Sequence, residues 1–251
     1  MSATPAWPPS SLPRLYVEHA LADGASLTLE GAQANYLVAV LRLGPGEQVK
    51  LFDDCSGEWL GEIVEAGKKR VTLTLLAKLR EREAMPDLWL LFAPIKRGRI
   101  DWIAEKATEL GVARLVPVLT RRTIVDRVNS ERLRAHMVEA AEQCERTALP
   151  ELAEPVRLTD LLRDWPAERA LLFADETGGE PLASVAGPGA AALLIGPEGG
   201  FTPEEGEAIR ALPSARAVSL GPRILRADTA AAAAVAVWMA SAGDWSRPAE
   251  R

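Results

Sequence analysis

Leu193-Leu194-Ile195-Gly196-Pro197-Glu198-Gly199-Gly200-Phe201-Thr202-Pro203-Glu204-Glu205 sets a buried-strand pattern directly against a helix start. The apolar run 191–195 suits a strand covered on both faces. A glycine-rich turn follows at 196–200. Thr202 is a strong N-cap residue, Pro203 suits the first helical position, where a missing N–H costs nothing, and Glu205 completes a capping box. A loop so placed lies at the carboxyl end of a strand, where open α/β sheets bind ligands, and its glycines let backbone groups approach a flat ligand closely. A turn that needs glycine only for its backbone angles stays open as the plainer reading. The spacing is neither GxGxxG nor GxxxxGK(S/T), which argues against a nicotinamide fold and a P-loop.

Ser219-Leu220-Gly221-Pro222-Arg223-Ile224-Leu225-Arg226-Ala227-Asp228-Thr229-Ala230 repeats the strand–loop–helix plan. The helix it opens, 229–242, is almost free of polar residues up to Ala240 and is expected to be buried nearly all round. Further short apolar runs at 88–93, 115–119, 170–174 and 217–220 alternate with helical patterns at 99–110 and 130–148. Strand and helix in alternation imply a parallel α/β sheet. Ahead of a charged linker, Lys78 to Glu83, the pattern changes to short strands at 14–17, 48–52, 59–64 and 70–75, with a helix expected at 31–43. Several such strands with turn signals between them suggest a small barrel. The expected domains are 1–80 and 87–245.

The chain has 251 residues, a net charge of −6, two cysteines and two histidines. The cysteines have no zinc or redox spacing, so neither a metal site nor a disulfide is expected. No stretch has the length of a membrane span and no secretory h-region opens the chain, so a soluble, cytoplasmic protein is expected. An acidic total argues mildly against nucleic acid, but 94–134 holds ten Lys and Arg against five Asp and Glu. That stretch reads either as a mixed-charge solvated face or as a phosphate-tracking patch.

The pair GPEGG and LGPRILRADTA resembles the cofactor loops of the ribosomal RNA small subunit methyltransferase E family, of the SPOUT superfamily. Tyr36-Leu37-Val38-Ala39-Val40-Leu41-Arg42-Leu43 is similar to the family's VLR segment, 106–112 to its K-x-x-E-L-G-V helix end, and Glu142-Gln143-Cys144-Glu145-Arg146 to its E-Q-C-x-R run. Together these cover roughly 14–243. The resemblance implies a small PUA-like β-barrel followed by a SPOUT-type parallel α/β domain with a trefoil knot. It also implies a homodimer and a cofactor, S-adenosylmethionine, released as S-adenosylhomocysteine. The implied reaction is methylation of N3 of uridine 1498, in the usual ribosomal numbering, in the decoding region of 16S ribosomal RNA within the 30S subunit.

On this reading Leu172, Ile195, Gly196, Pro197, Glu198, Gly199, Gly200, Leu220, Gly221, Ile224, Leu225, Arg226 and Thr229 hold the cofactor. Arg226 stabilises charge on the base; Glu198 accepts from the uridine or orients Arg226. The plainer role for Arg226 is an ion pair with Glu198 or Asp228, and Asp228 stands where many relatives carry glutamate, one methylene longer. Arg14, Arg42, Lys96, Arg97, Lys106, Arg121, Arg122 and Arg146 are the expected RNA ligands, with Arg99 a further candidate. The alternatives are a SPOUT enzyme acting on transfer RNA, a decayed RNA-binding protein, and a dinucleotide oxidoreductase, which lacks its glycine fingerprint.

Overall fold

The computed structural model describes residues 12–96, 98–125 and 127–245. They form two compact units, one holding the described residues up to Ala84 with Ala141–Ala148, the other Met85–Ala140 with the described residues from Leu149.

The first unit is a five-stranded sheet. Its strands are β1 (Arg14–Tyr16), β2 (Ser26–Glu30), β3 (Gln48–Phe52), β4 (Glu58–Ala66) and β5 (Arg70–Arg80), in the order β1-β3-β4-β5-β2. The pairing is antiparallel except between β1 and β3. Val71, Leu73 and Leu75 alternate inward and pack with Leu29, Leu37, Val49, Leu51 and Ile63. The helix expected at 31–43 is shorter and of two kinds. Helix α1 (Gly31–Asn35) passes into a π-helical turn, Tyr36–Val40, closed by a bond from the Leu41 N–H to the Tyr36 carbonyl at 2.9 Å. Arg42 then takes a left-handed φ of 60° and ends it.

An ion network ties residues 141–148 into this unit. Arg14 donates from Nε to Glu58 at 2.5 Å, from Nη1 to the Ala141 carbonyl at 2.6 Å, and from Nη2 to the Arg146 carbonyl. Its guanidinium also lies 3.8 Å from the centre of the Phe52 ring. The Glu142 carboxylate accepts from the Tyr16 N–H, and Arg146 donates to Glu83. This places Arg14 and Arg146 inside a buried network and not at a surface a phosphate reaches. Partners within the fold take their donors.

The second unit is a parallel sheet with helices on both faces. In chain order it runs β6 (Leu88–Phe92), α2 (Arg99–Glu109), β7 (Arg114–Leu119), α3 (Ser130–Cys144, its residues from Ala141 belonging to the first unit), β8 (Glu151–Leu152), β9 (Val156–Arg157) and α4 (Leu158–Arg163). It continues with β10 (Ala170–Ala174), β11 (Glu180–Pro181), α5 (Leu182–Val185), β12 (Ala191–Ile195), α6 (Pro203–Arg210), β13 (Ala215–Ser219) and α7 (Ala227–Ser241). The strand order is β11-β13-β10-β12-β6-β7-β8, with β9 beside β7, and every pairing is parallel.

Both faces of the central strands are apolar, as the continuous runs require. Leu172, Leu193 and Ile195 pack with Ala231, Ala234, Val235 and Trp238 of α7. Leu171, Phe173 and Leu194 pack on the other side with Leu158 of α4 and Ile209 of α6. Each fully buried leucine or phenylalanine contributes about 1.5–3 kcal/mol by leaving water. Helix α7 is less enclosed than its sequence suggests: one stripe is buried, while Ala232, Ala233, Ala236 and Val237 are half-buried. Sheet and neighbouring helices cover only one side of a 15-residue helix. Among the described residues, no helix is long and apolar enough to cross a membrane.

Candidate functional site

The loops after β6, β10, β12 and β13 leave the same edge of the parallel sheet, at the carboxyl ends of neighbouring strands. The loop after β12 ends at α6, whose start is built as its sequence dictates. Thr202 accepts from the Glu205 N–H, and Glu205 Oε2 accepts from the Thr202 N–H at 2.9 Å. Glu205 does more than cap. Its carboxylate is buried, and Oε1 accepts from the Arg121 N–H at 2.7 Å, which pins the segment after β7 against the helix start. Arg122 follows with a bond from Nη1 to the Gly199 carbonyl at 2.5 Å.

Two glycines in this loop are demanded by their surroundings. A Cβ on Gly196 would stand 3.1 Å from the Phe201 ring. Gly200 has a φ of +68°, and a Cβ there would meet Glu176 Oε1 at 3.0 Å. Glu176 belongs to the segment after β10, so the β10 and β12 loops touch. Beside it, Asp175 accepts from Thr177 and pairs with Arg210 of α6. Burial works to raise the Asp175 pKa, but the bonds from Thr177 and Arg210 outweigh it and hold the carboxylate below its ordinary range.

The loop after β13 is open. Gly221 takes a φ of +110°, and its N–H donates to Ser219 Oγ at 3.2 Å. The backbone of 222–225 makes no turn hydrogen bond among the described residues. Leu220 and Leu225 pack against the core, whereas Ile224 is 84% exposed. Arg226 is the N-cap of α7 and is exposed. Among the described residues it enters no ion pair. The pairing expected of it falls to Arg99, which donates from Nη1 to Glu198 at 3.1 Å and lies with Nε 3.7 Å from Asp228. The other Asp228 oxygen accepts from the Thr229 N–H at 2.9 Å.

Of the expected cofactor residues, the two loops gather Gly196 to Gly200 and Leu220 to Arg226 at one edge. Leu172 and Ile195 are core residues on the α7 side, with their side chains turned away from solvent. Leu172 also lines a cavity of about 290 Å³ with Val185, Ala191 and Arg216, at the amino ends of the strands and away from the loops.

The basic patch divides. Lys106 is held by Glu105 and Glu109, both at 2.7 Å, and those bonds raise its pKa. Arg132 is taken by Asp101 and Arg114 by Glu151. Lys96, Arg121 and Arg42 are exposed, Arg122 is exposed with one bond to Gly199, and Arg97 lies outside the described residues. The Arg99–Glu198 pair was not legible in the sequence: the two residues are 99 positions apart, and no local pattern marks them. Among the described residues, no group of three or more His, Cys, Asp or Glu is placed to hold a metal ion.

A family model described as an RNA methyltransferase domain matches residues 82–239, and one described as an RNA methyltransferase PUA domain matches 29–76. The ribosomal RNA small subunit methyltransferase E of Rickettsia conorii is 31% identical over 229 residues, 89% of this chain and 93% of that protein. The Neisseria gonorrhoeae enzyme of the same name, solved bound to S-adenosyl methionine, superposes with a TM-score of 0.86 at 28% identity, covering 94% of this chain and 100% of that one. A putative methyltransferase from Legionella pneumophila, solved with its cofactor SAM, gives 0.85 at 31% identity over 92% of this chain and 98% of that one. With a fold, two loop motifs and full-length relatives in agreement, the chain belongs to the ribosomal RNA small subunit methyltransferase E family.

Proposed function

We propose that this chain methylates N3 of uridine 1498 in the decoding region of 16S ribosomal RNA, on the 30S subunit, as a cytoplasmic homodimer whose cofactor loops follow a knotted path. The coarser activity, an RNA methyltransferase that uses S-adenosylmethionine, comes with the family. The observation that carries the finer reading is Arg226. A cationic residue at a helix N-cap breaks two local rules: caps prefer Ser, Thr, Asp or Asn, and the helix dipole repels positive charge there. Such violations gather at functional sites. Arg226 stands exposed and uncommitted beside two glycine–proline loops.

The residues fit the cofactor. Backbone groups of 222–225 stand free of turn bonds, Leu220 and Leu225 offer apolar contact, and Gly196 and Gly200 sit where a side chain would collide with Phe201 or Glu176. Apolar walls with a few backbone donors and acceptors suit an adenine ring. When bound, S-adenosylmethionine supplies an electrophilic methyl group on a sulfonium. The protein has two tasks. N3 of uridine is an imide nitrogen that must lose its proton, and negative charge then spreads to the neighbouring carbonyl oxygens. Arg226 donates hydrogen bonds to that charge; being always protonated, it is not the base. The loops align N3 with the methyl group, a contribution of about 7–11 kcal/mol in well-oriented systems. Glu198, on the neighbouring loop, acts through Arg99. The half-buried stripe of α7 and the exposed Ile224 support a second copy as the missing cover.

Charge alone does not select one uridine, because non-specific phosphate binding gives about 10⁻⁴–10⁻⁶ M. The shape of the assembled subunit supplies the rest. The test is transfer from labelled S-adenosylmethionine to 30S subunits lacking this methyl group, with nucleoside analysis and primer extension. One N3-methyluridine at the decoding site is expected. Label in transfer RNA and none in 30S moves the substrate, and a short naked RNA methylated as well as 30S removes the subunit from the recognition.

A further inference from the structure

We infer that Arg99 is a positioning residue for methyl transfer, an electrostatic clamp that holds the two cofactor loops together and keeps Arg226 free for the substrate. The inference rests on the methyl-transfer reading above.

Arg99 opens α2, after the loop that follows β6. Its partners come from elsewhere: Glu198 in the loop after β12, at 3.1 Å, and Asp228 in the first turn of α7, at 3.7 Å. One guanidinium thus bridges the segments that carry the GPEGG and LGPRILRADTA motifs. The planar fork has donors enough for both carboxylates. The Arg99 and Glu198 side chains are 38% and 40% exposed, so the pair adds little to global stability. Its consequence is local. Arg226, the N-cap of α7, lies two residues before Asp228. Without Arg99, Glu198 and Asp228 stand as two unneutralised carboxylates beside it, and pairing with either would draw its guanidinium from the base. Asp228 is suited to this role despite its short side chain: its Oδ1 is fixed by the Thr229 N–H, which leaves Oδ2 toward Arg99.

Four full-length variants test the clamp: Arg99→Ala, Arg99→Lys, Asp228→Asn, and Arg99→Ala with Asp228→Asn. With undermethylated 30S subunits, Arg99→Ala is expected to lower kcat about 100-fold, the scale of a misplaced reacting group, while KM for the subunit changes less than about threefold. Arg99→Lys keeps the charge between the carboxylates and retains most of kcat. Removing the Asp228 charge from the alanine variant recovers about tenfold, since one competitor for Arg226 is gone. Amide hydrogen exchange read by mass spectrometry is expected to quicken at 196–201 and 220–226 in Arg99→Ala and to return in Arg99→Lys.

An unchanged kcat overturns the inference. So does a loss confined to KM, which makes Arg99 a phosphate ligand, or a double variant whose loss is the product of the two single losses. A wild-type chain that binds S-adenosylmethionine but methylates nothing in 30S defeats the activity reading instead. The exchange measurement then still decides the clamp, and unchanged exchange in Arg99→Ala sinks it.

Discussion

Glu58 accepts from both Arg14 and Arg80, and its side chain and that of Arg14 are only 2% and 5% exposed. Burial works to raise its pKa, but the two arginines outweigh burial and hold the carboxylate below its ordinary range. A depressed carboxylate contributes stability that is present above its unfolded pKa and lost as pH falls through its folded value. Wild type is therefore expected to lose stability below about pH 4 more steeply than Glu58→Gln. Urea midpoints measured across pH 3 to 7 check this, roughly the span of carboxylate titration, and parallel curves would contradict it. At neutral pH, Glu58→Ala leaves two guanidiniums without their anion and is expected to cost about 3–5 kcal/mol, read from the same unfolding curves. The sequence marked Arg14 and Arg146 as cations but not as buried ones, since Glu58 lies 44 residues from Arg14 and the Arg146 carbonyl 132. Charge can be read one residue at a time; its neutralisation cannot.

Helix α6 has the opposite character, because its start is specified within four residues. Thr202→Ala removes one cap bond and is expected to cost about 1 kcal/mol. Glu205→Ala is expected to cost more, since that carboxylate also holds the Arg121 N–H; calorimetric unfolding of both variants ranks them, and equal losses would show that the Arg121 bond adds nothing. Gly196→Ala is expected to weaken S-adenosylmethionine binding by about tenfold or more, measured by titration calorimetry, because its Cβ would press on the Phe201 ring at 3.1 Å. The capping box, the strands at 170–174 and 191–195, and the loops at their edge were legible because their signals are local. The two-residue strands β8, β9 and β11 and the short helices α4 and α5 were not, being too short to show a period, and β2 was missed although Leu27 and Leu29 alternate inward along it. The π-helical turn was missed for another reason: its apolar spacing at 36–41 passes for an ordinary helix until the Leu41 to Tyr36 bond is seen.

For the whole molecule, the change from alternating strands to buried parallel ones was legible, but not the assignment of Ala141–Ala148 to the first unit, which hydrogen bonds between distant segments impose. Its −6 charge is offset locally, and the patch is smaller than the count of basic residues implies, because Lys106, Arg114 and Arg132 are paired. Arg121→Ala is expected to raise KM for 30S subunits and to lower the slope of log affinity against log salt by about one. An unchanged slope would take Arg121 out of the RNA surface. The central claim, that the two loops hold the cofactor while Arg226 acts on the base, meets its most direct test in Arg226→Ala, through cofactor affinity by calorimetry and single-turnover methyl transfer to 30S subunits. Affinity within about threefold of wild type, with a transfer rate about 10²–10³ lower, is the predicted result. A transfer rate that stays at the wild-type value, or that falls only as far as cofactor affinity does, would contradict it.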